Sequence, residues 1–286
     1  MLSVRPDRPV NPITVAVLRA VGRVFNDLNL PYFVAGAVAR DIVISHVFGF
    51  DTGRATRDVD FAVAVESWDQ YETVRITFLK LAQFAADKRD AAHRFYYEHG
   101  SGIRYPVDLI PFRGVEQSEH TIAWPPEMKV MISVVGFEEA LATALTVQVE
   151  AGLVAPIASL SGLALLKLIA WMERGHEDSK DALDFVTLLR RYADAGNLDR
   201  LYGDDIATLE AAEFDVELAG SRLLGQDLQR IAAPDTLRQI AALFAVAGLS
   251  DRLITHMARG LRGEDDSIAA AERLLEQFTA GLLGKR

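Results

Sequence analysis

The apolar pattern of the chain changes once, near Ser159, and this change constrains the fold class. Before it, short strand-like runs alternate with helices; after it, apolar residues recur only at helical spacing. A chain of 286 residues has room for one large or two modest domains. We therefore predict an α+β fold, with a mixed β-sheet flanked by helices over residues 1–157 and a helical domain over residues 158–286.

The composition excludes several classes of protein. The absence of cysteine excludes disulfides, thiolate metal sites and cysteine nucleophiles. The apolar stretches are far shorter than the ~20 residues of a membrane span, and the N-terminal residues lack the apolar core of a secretory signal. The motifs of P-loop NTPases, serine hydrolases and dinucleotide-binding domains do not occur. We therefore expect a cytoplasmic protein with no membrane partner.

The formal net charge is −10, most of it in the second half of the chain. Contacts to phosphates dominate nucleic-acid affinity, so this charge disfavours binding to long duplexes. It leaves open a nucleotide or a short RNA end at the nearly neutral first half.

Two aspartates stand one residue apart in TRDVDFAVAV, residues 56–65. Side chains at i and i+2 of a strand project from one face, ~6.6–7 Å apart, so Asp58 and Asp60 are predicted to point together. Two such carboxylates repel each other unless a cation lies between them, and Mg²⁺ prefers oxygen ligands. The alternative is a strand edge with two solvated acids, which is the commoner case for an isolated Asp-x-Asp.

A third acid, Asp108, lies in the apolar segment PVDLIPF, on the second strand of a hairpin predicted to turn at Gly100–Gly102. A charge inside an apolar strand is costly to bury unless it is paired or bound to a metal. The alternative is a strand residue that faces outward. An acid pair on one strand and a third acid on an adjacent strand can together hold two metal ions for a displacement at phosphorus.

Candidate phosphate-binding residues stand around the acid pair. Gly36 marks the junction of a strand and a helix, where backbone N–H groups can face a phosphate. Arg40, Thr56 and Arg57 could contact the same phosphates. Ordinary alternatives exist: a tight-turn glycine, a surface pair of Arg40 with Asp41, and residue types common before a strand.

In the helical half, Lys167 lies in an otherwise apolar helix, LLKLIAWMER. It either extends to the surface or reaches a phosphate in a cleft. Asp181 and Asp184 share one face of the next helix, although an acid near a helix N-terminus also stabilises the helix dipole.

Taken in order, five motifs resemble those of the polymerase-β-type nucleotidyltransferases, and within them the AbiEii-like or MenT-like toxin nucleotidyltransferases. The resemblance covers roughly residues 30–190. The motifs are AGAVARD (35–41), ATRDVDFAV (55–63), VDLIPF (107–112), LLKLIAWMER (165–174) and KDALDF (180–185).

The resemblance implies a nucleotidyltransferase-type sheet, a helical domain that completes the active-site cleft, and a role for each matching position. Ala37 stands where relatives carry glycine or serine, so only its backbone N–H can serve. The catalytic positions are Asp58, Asp60, Asp108, Lys167 and Asp181, with Asp58, Asp60 and Asp108 as ligands of a Mg²⁺ cofactor. The nucleotide-binding positions are Gly36, Ala37, Arg40, Thr56, Arg57 and Lys167.

The implied activity is Mg²⁺-dependent transfer of a nucleoside monophosphate from an NTP to an acceptor hydroxyl. A tRNA 3′ end is the expected acceptor, and a cognate antitoxin is an expected partner. A protein hydroxyl or a small molecule such as an aminoglycoside is an alternative acceptor. A nucleotide-binding or partner-binding module without turnover is an alternative of another class.

Overall fold

The computed structural model describes residues 1–53, 56–87, 91–100, 102–126, 128–246 and 248–284. The chain divides into two compact units, Met1–Ala158 and Ser159–Arg286. Among the described residues, no single helix has both the length and the apolar composition needed to cross a membrane. In the ranges that the structure describes, one pair of helices, Pro234–Ala245 and Leu249–Ala258, bent by 87°, has them when the two are taken together.

The first unit contains both strands and helices. Its strands are β1 (Leu2–Ser3), β2 (Tyr32–Ala35), β3 (Val59–Val65), β4 (Phe84–Ala85), β5 (Arg94–His99), β6 (Ile103–Arg113), β7 (Thr121–Ala123), β8 (Met131–Ser133), β9 (Leu145–Glu150) and β10 (Leu153–Ile157). Its α-helices are α1 (Pro12–Asp27), α2 (Gly36–Asp41), α3 (Trp68–Leu79) and α4 (Phe137–Ala142). A π-helical segment, Ile42–Val47, follows α2, and a short 3₁₀ turn, Ser118–His120, precedes β7.

Eight strands form one mixed sheet in the order β1-β9-β10-β2-β3-β6-β5-β4, and β7 pairs with β8 separately. The pairs β1/β9, β10/β2 and β3/β6 are parallel, and the other pairs in the sheet are antiparallel. Strands β5 and β6 flank the predicted turn at Gly100–Gly102, of which Ser101 lies outside the described residues. The predicted mixed sheet is confirmed.

Helices cover both faces of the sheet through aromatic side chains. On one face, Phe25 of α1 contacts Phe61 of β3 and Phe78 of α3, with ring centroids 6.2 and 5.8 Å apart. On the other face, Phe137 of α4 packs against phenylalanines of β2 and β6. Strand β3 is therefore buried on both faces, and of its residues only Asp60 is half-buried.

The second unit is helical, as predicted. Its helices are α5 (Leu160–Arg174), α6 (Lys180–Arg191), α7 (Leu198–Leu201), α8 (Ile206–Ala211), α9 (Val216–Ile231), α10 (Pro234–Ala245), α11 (Leu249–Ala258) and α12 (Ser267–Leu282). Helices α9 and α12 approach closely, since a Cβ added at Gly225 would lie 2.1 Å from the carbonyl oxygen of Phe278. Helices α5 and α6 also pack against each other, and they carry the polar cluster described below.

Candidate active site

Four residues on neighbouring strands lie in register at the centre of the sheet. Ala35, at the end of β2, pairs with Asp60 of β3. Asp60 pairs with Asp108 of β6, which in turn pairs with Arg94 of β5. Paired residues on neighbouring strands point to the same face, with ~4.8 Å between the strands. We call these four residues the acid row; in it two predicted acids lie side by side, with an arginine beyond them.

The third predicted acid, Asp58, lies two residues before Asp60 and is exposed. Strand β3 begins at Val59, so Asp58 directly precedes the strand and only Asp60 of the pair lies within it. The backbone N–H of Asp58 donates to Thr56 Oγ1 at 3.4 Å, and Arg57 between them is exposed. Ala55, the first residue of the motif ATRDVDFAV, lies outside the described residues. Contacts of Thr56 and Arg57 with nucleotide stay predictions.

Gly36 brings the start of α2 against Asp60. Its φ of +67° lies in the left-handed region, and a Cβ added there would lie 1.8 Å from Asp60 Oδ2. The carboxylate thus occupies space that any other residue would fill. Gly36 and the half-buried Ala37 therefore lie next to the acid row, although their contact with phosphates remains a prediction.

Arg40 lies inside the unit and not on its surface. Its residue is 2% exposed, and its Nε and Nη2 donate to Asp41 Oδ1 at 2.9 and 2.7 Å. The hydroxyl of Thr52 donates to the same oxygen at 2.7 Å. Arg40 does pair with Asp41, but the arginine is buried and the aspartate is half-buried, so this is not a surface ion pair. The predicted contact of Arg40 with phosphate stays a prediction.

Arg94 holds Asp108 through two hydrogen bonds. Its Nε donates to Oδ1 at 2.8 Å and its Nη2 to Oδ2 at 2.6 Å. These hydrogen bonds raise the pKa of Arg94; burial opposes the rise, and the charges of Asp108 and Asp58 add to it. Arg94 is therefore a fixed positive charge beside the predicted metal ligands, and the buried carboxylate of Asp108 is paired.

The sequence interpretation missed Arg94, although one signal could have found it. In an antiparallel hairpin, residues equally distant from the centre of the turn pair with each other. A turn at Gly100–Gly102 is centred on position 101, and Arg94 and Asp108 lie seven residues on either side of that position. The predicted turn therefore already implied this pair.

His93, next to Arg94, adds little positive charge to this region. Burial lowers the pKa of its imidazole, although the charge of Asp108 partly opposes that effect. Its Nδ1 has no hydrogen-bond partner among the described residues, and its ring lies 5.3 Å from that of Trp124. The imidazole is therefore expected to be neutral at pH 7.

The donor set of the acid row suits a hard cation, since it consists of carboxylate oxygens. Within the described ranges, however, no group of three or more histidine, aspartate and glutamate side chains is arranged to hold a metal ion. Both oxygens of Asp108 accept hydrogen bonds from Arg94. Mg²⁺ commonly takes one or two carboxylates and completes its shell with water and substrate phosphates. Asp58 and Asp60 fit that mode, and the prediction that all three acids bind metal remains untested.

The second unit contains a polar cluster, which we call the lysine cluster: Lys167, Arg174, Asp181 and Asp184. Lys167 Nζ lies 3.0 Å from Asp181 Oδ1 and 2.6 Å from Asp184 Oδ2. Its side chain is only 13% exposed, and both aspartates are buried. Arg174 donates from Nε to Asp181 Oδ2 at 2.7 Å. Lys167 thus neither extends freely to the surface nor presents an unpaired charge.

Opposite charges keep this cluster ionised. Burial lowers the pKa of Lys167, but Asp184 and Asp181 outweigh it and the pKa is raised. Burial likewise raises the pKa of Asp181, but Lys167 and Arg174 outweigh it and the pKa is lowered. The catalytic roles of Lys167 and Asp181 stay predictions.

Comparison with known proteins assigns the chain to a class and then to a family. The model of the family "Nucleotidyl transferase AbiEii toxin, Type IV TA system" matches residues 29–271. The chain is therefore a nucleotidyltransferase. It belongs to the AbiEii toxin family, which confirms the predicted family.

Solved structures give weaker similarities, all at low identity. An antigenic nucleotidyltransferase-like protein from Paracoccidioides brasiliensis is 14% identical; the match covers 73% of this chain and 93% of that one, with a TM-score of 0.42. The Thermotoga maritima CCA-adding enzyme in complex with tRNA is 12% identical; the match covers 96% and 83%, with a TM-score of 0.26. The nucleotidyltransferase CdnG from Bradyrhizobium diazoefficiens in complex with GTP is 14% identical; the match covers 93% and 92%, with a TM-score of 0.30. A search of curated proteins gave no match.

Replacing Gly36 by alanine is expected to abolish nucleotidyl transfer while costing only moderate stability. The left-handed backbone costs an L-residue about 1–2 kcal/mol, and the added Cβ forces the Asp60 carboxylate out of the acid row. Gly152→Ala is the matched control, because Gly152 has a φ of +74° and nothing lies within 4 Å of an added Cβ. Urea denaturation should give similar losses for both variants, and only Gly36→Ala should lose transfer of labelled nucleotide. Equal activity of the two variants would contradict this account of Gly36.

Replacing Lys167 by methionine is expected to destabilise the protein by about 3–5 kcal/mol, because it leaves buried carboxylates without their main counter-charge. Lys180→Met is the control, since Lys180 pairs with Asp178 at 2.7 Å on the surface and such pairs contribute only about 0–1 kcal/mol. The free energy of unfolding in urea measures both. If Lys167→Met costs no more than Lys180→Met, the lysine cluster does not stabilise the unit.

Proposed function

We propose that this chain transfers a nucleoside monophosphate from an NTP to a tRNA 3′ end in a Mg²⁺-dependent reaction, as the cytoplasmic toxin of a toxin–antitoxin pair. The observation that supports it most is the acid row, in a chain that belongs to the AbiEii nucleotidyl transferase family. A cognate antitoxin is part of this proposal because the family is one of toxin–antitoxin systems.

The metal would be held by Asp58 and Asp60, with Asp108 joining them in the complete site. When bound, Mg²⁺ would neutralise charge that develops on the phosphates during the transfer. The lack of a side chain at Gly36 leaves space for the Asp60 carboxylate, which supports this role.

The triphosphate would be bound by the backbone N–H groups of Gly36 and Ala37 and by the exposed Arg57. Lys167 would supply a further contact. An ammonium group has three N–H donors, and two of those of Lys167 are used by Asp181 and Asp184. In the described part of the chain, the third donor would be available to a phosphate oxygen, and Asp181 would fix the position of the ammonium group.

In the reaction, the oxygen of the acceptor hydroxyl forms a bond to the α-phosphorus and the bond from the α-phosphorus to the β-phosphate oxygen breaks. Pyrophosphate leaves, and the hydroxyl proton is given up. Asp108 would accept that proton or orient the hydroxyl. Each carboxylate oxygen has two lone pairs, so the bonds from Arg94 leave acceptor capacity on Asp108. Positioning and charge neutralisation would supply most of the rate enhancement.

The test is incubation of the purified chain with each α-labelled NTP, Mg²⁺ and total tRNA. We expect label in RNA, and we expect Asp60→Asn to lower its incorporation at least about 100-fold, the scale of losing one preorganised electrostatic group. Asp204→Asn removes an exposed carboxylate of the helical unit and serves as the control.

Other outcomes separate the alternatives. Label in protein, or on an aminoglycoside, would keep the reaction and replace the tRNA acceptor. An absence of label in every acceptor, or an Asp60→Asn variant as active as the parent, would refute the proposed reaction at this site.

A further inference from the structure

Arg94 is the one cation in the described part of the acid row, and its contacts are specific. Its planar guanidinium donates to both oxygens of Asp108, at 2.8 and 2.6 Å, in the paired geometry that gives the strongest arginine–carboxylate bonds. Its side chain is still 33% exposed. It can therefore leave Asp108 toward solvent without burying an unpaired charge of its own.

The position of Arg94 conflicts with full coordination of a metal by three acids. While Arg94 donates to both oxygens of Asp108, a metal cation that binds the same carboxylate is repelled by the positive charge of the guanidinium group. Of the other two acids, Asp60 rests against Gly36 and Asp58 is exposed.

We propose that Arg94 is an internal competitor of the divalent cation for Asp108. In the nucleotide-free protein, Asp58 and Asp60 hold the metal weakly while Arg94 holds Asp108. Arg94 opposes coordination of the metal by Asp108, and its release of Asp108 favours coordination by all three acids. This proposal rests on the Mg²⁺-dependent function proposed for the acid row.

The test measures Mn²⁺ binding to the nucleotide-free full-length chain by electron paramagnetic resonance, so that it does not depend on turnover. Arg94→Gln removes the charge, and we expect at least about tenfold tighter Mn²⁺ binding, because a unit charge within a few ångströms strongly opposes a divalent cation. Arg113→Gln is the matched control. Arg113 makes the same two-bond contact, with Glu138 at 2.7 and 2.9 Å, but lies five residues further along β6, about 16 Å from Asp108. It should leave Mn²⁺ binding unchanged.

A second comparison separates competition from general electrostatics. With Arg94 present, Asp108→Asn should change Mn²⁺ affinity little, because Asp108 is not yet a ligand. In the Arg94→Gln background, Asp108→Asn should reverse the gain. If Asp108→Asn weakens Mn²⁺ binding equally in both backgrounds, or if Arg94→Gln does not tighten it, the competition does not exist.

Asp60→Asn distinguishes this failure from failure of the proposed function. If Asp60→Asn leaves Mn²⁺ affinity unchanged in the parent chain, the metal site itself is wrong. If it abolishes binding while Arg94→Gln has no effect, only the role of Arg94 is wrong. Should Arg94→Gln fail to fold by circular dichroism, Arg94→Lys replaces it. Lysine keeps the positive charge but lacks the planar guanidinium group that donates to both carboxylate oxygens. Arg94→Lys should therefore tighten Mn²⁺ binding by a smaller factor than Arg94→Gln. No tightening would overturn the proposal.

Discussion

The candidate site depends on the register between β3 and β6. Asp60 lies opposite Asp108 only because Phe61 lies opposite Leu109, where both are buried. A shift of one residue would turn every side chain of one strand to the other face. One acid would then enter the aromatic core, where an unpaired charge is very costly. The packing of apolar side chains therefore fixes the relative position of the two carboxylates, and the polar groups need not do so themselves.

Both polar clusters pair a cation with carboxylates, but the two ion pairs differ in how easily they can separate. In the lysine cluster, one ammonium group is enclosed by two buried carboxylates, so separating them would leave charges without partners in a region of low dielectric. In the acid row, the arginine is partly exposed and water can replace its partner. The first arrangement suits a rigid support, and the second suits a group that changes partner during a reaction cycle.

Short-range patterns in the sequence predicted much of the site. The alternation around Asp58 and Asp60 and the hairpin before Asp108 are short-range signals. The structure has the hairpin, and it has the strand from Val59 onward, one residue after Asp58. The parallel pairing of β3 with β6 joins residues almost fifty positions apart, and no local pattern specifies it. Local patterns also did not identify Asp181 and Asp184 as the partners of Lys167. Helical spacing indicates an apolar face, but it does not show which neighbouring helix supplies the opposite charges.

The large sheet ends on each side in a strand of only two residues, β1 and β4. An edge strand displays backbone N–H and C=O groups that can template pairing with a strand of another molecule. Strands this short offer few such groups of their own, and each covers only two residues of its six-residue neighbour, β9 or β5. Another chain would therefore gain little from pairing with β1 or β4 alone, and an added strand would need the uncovered residues of β9 or β5.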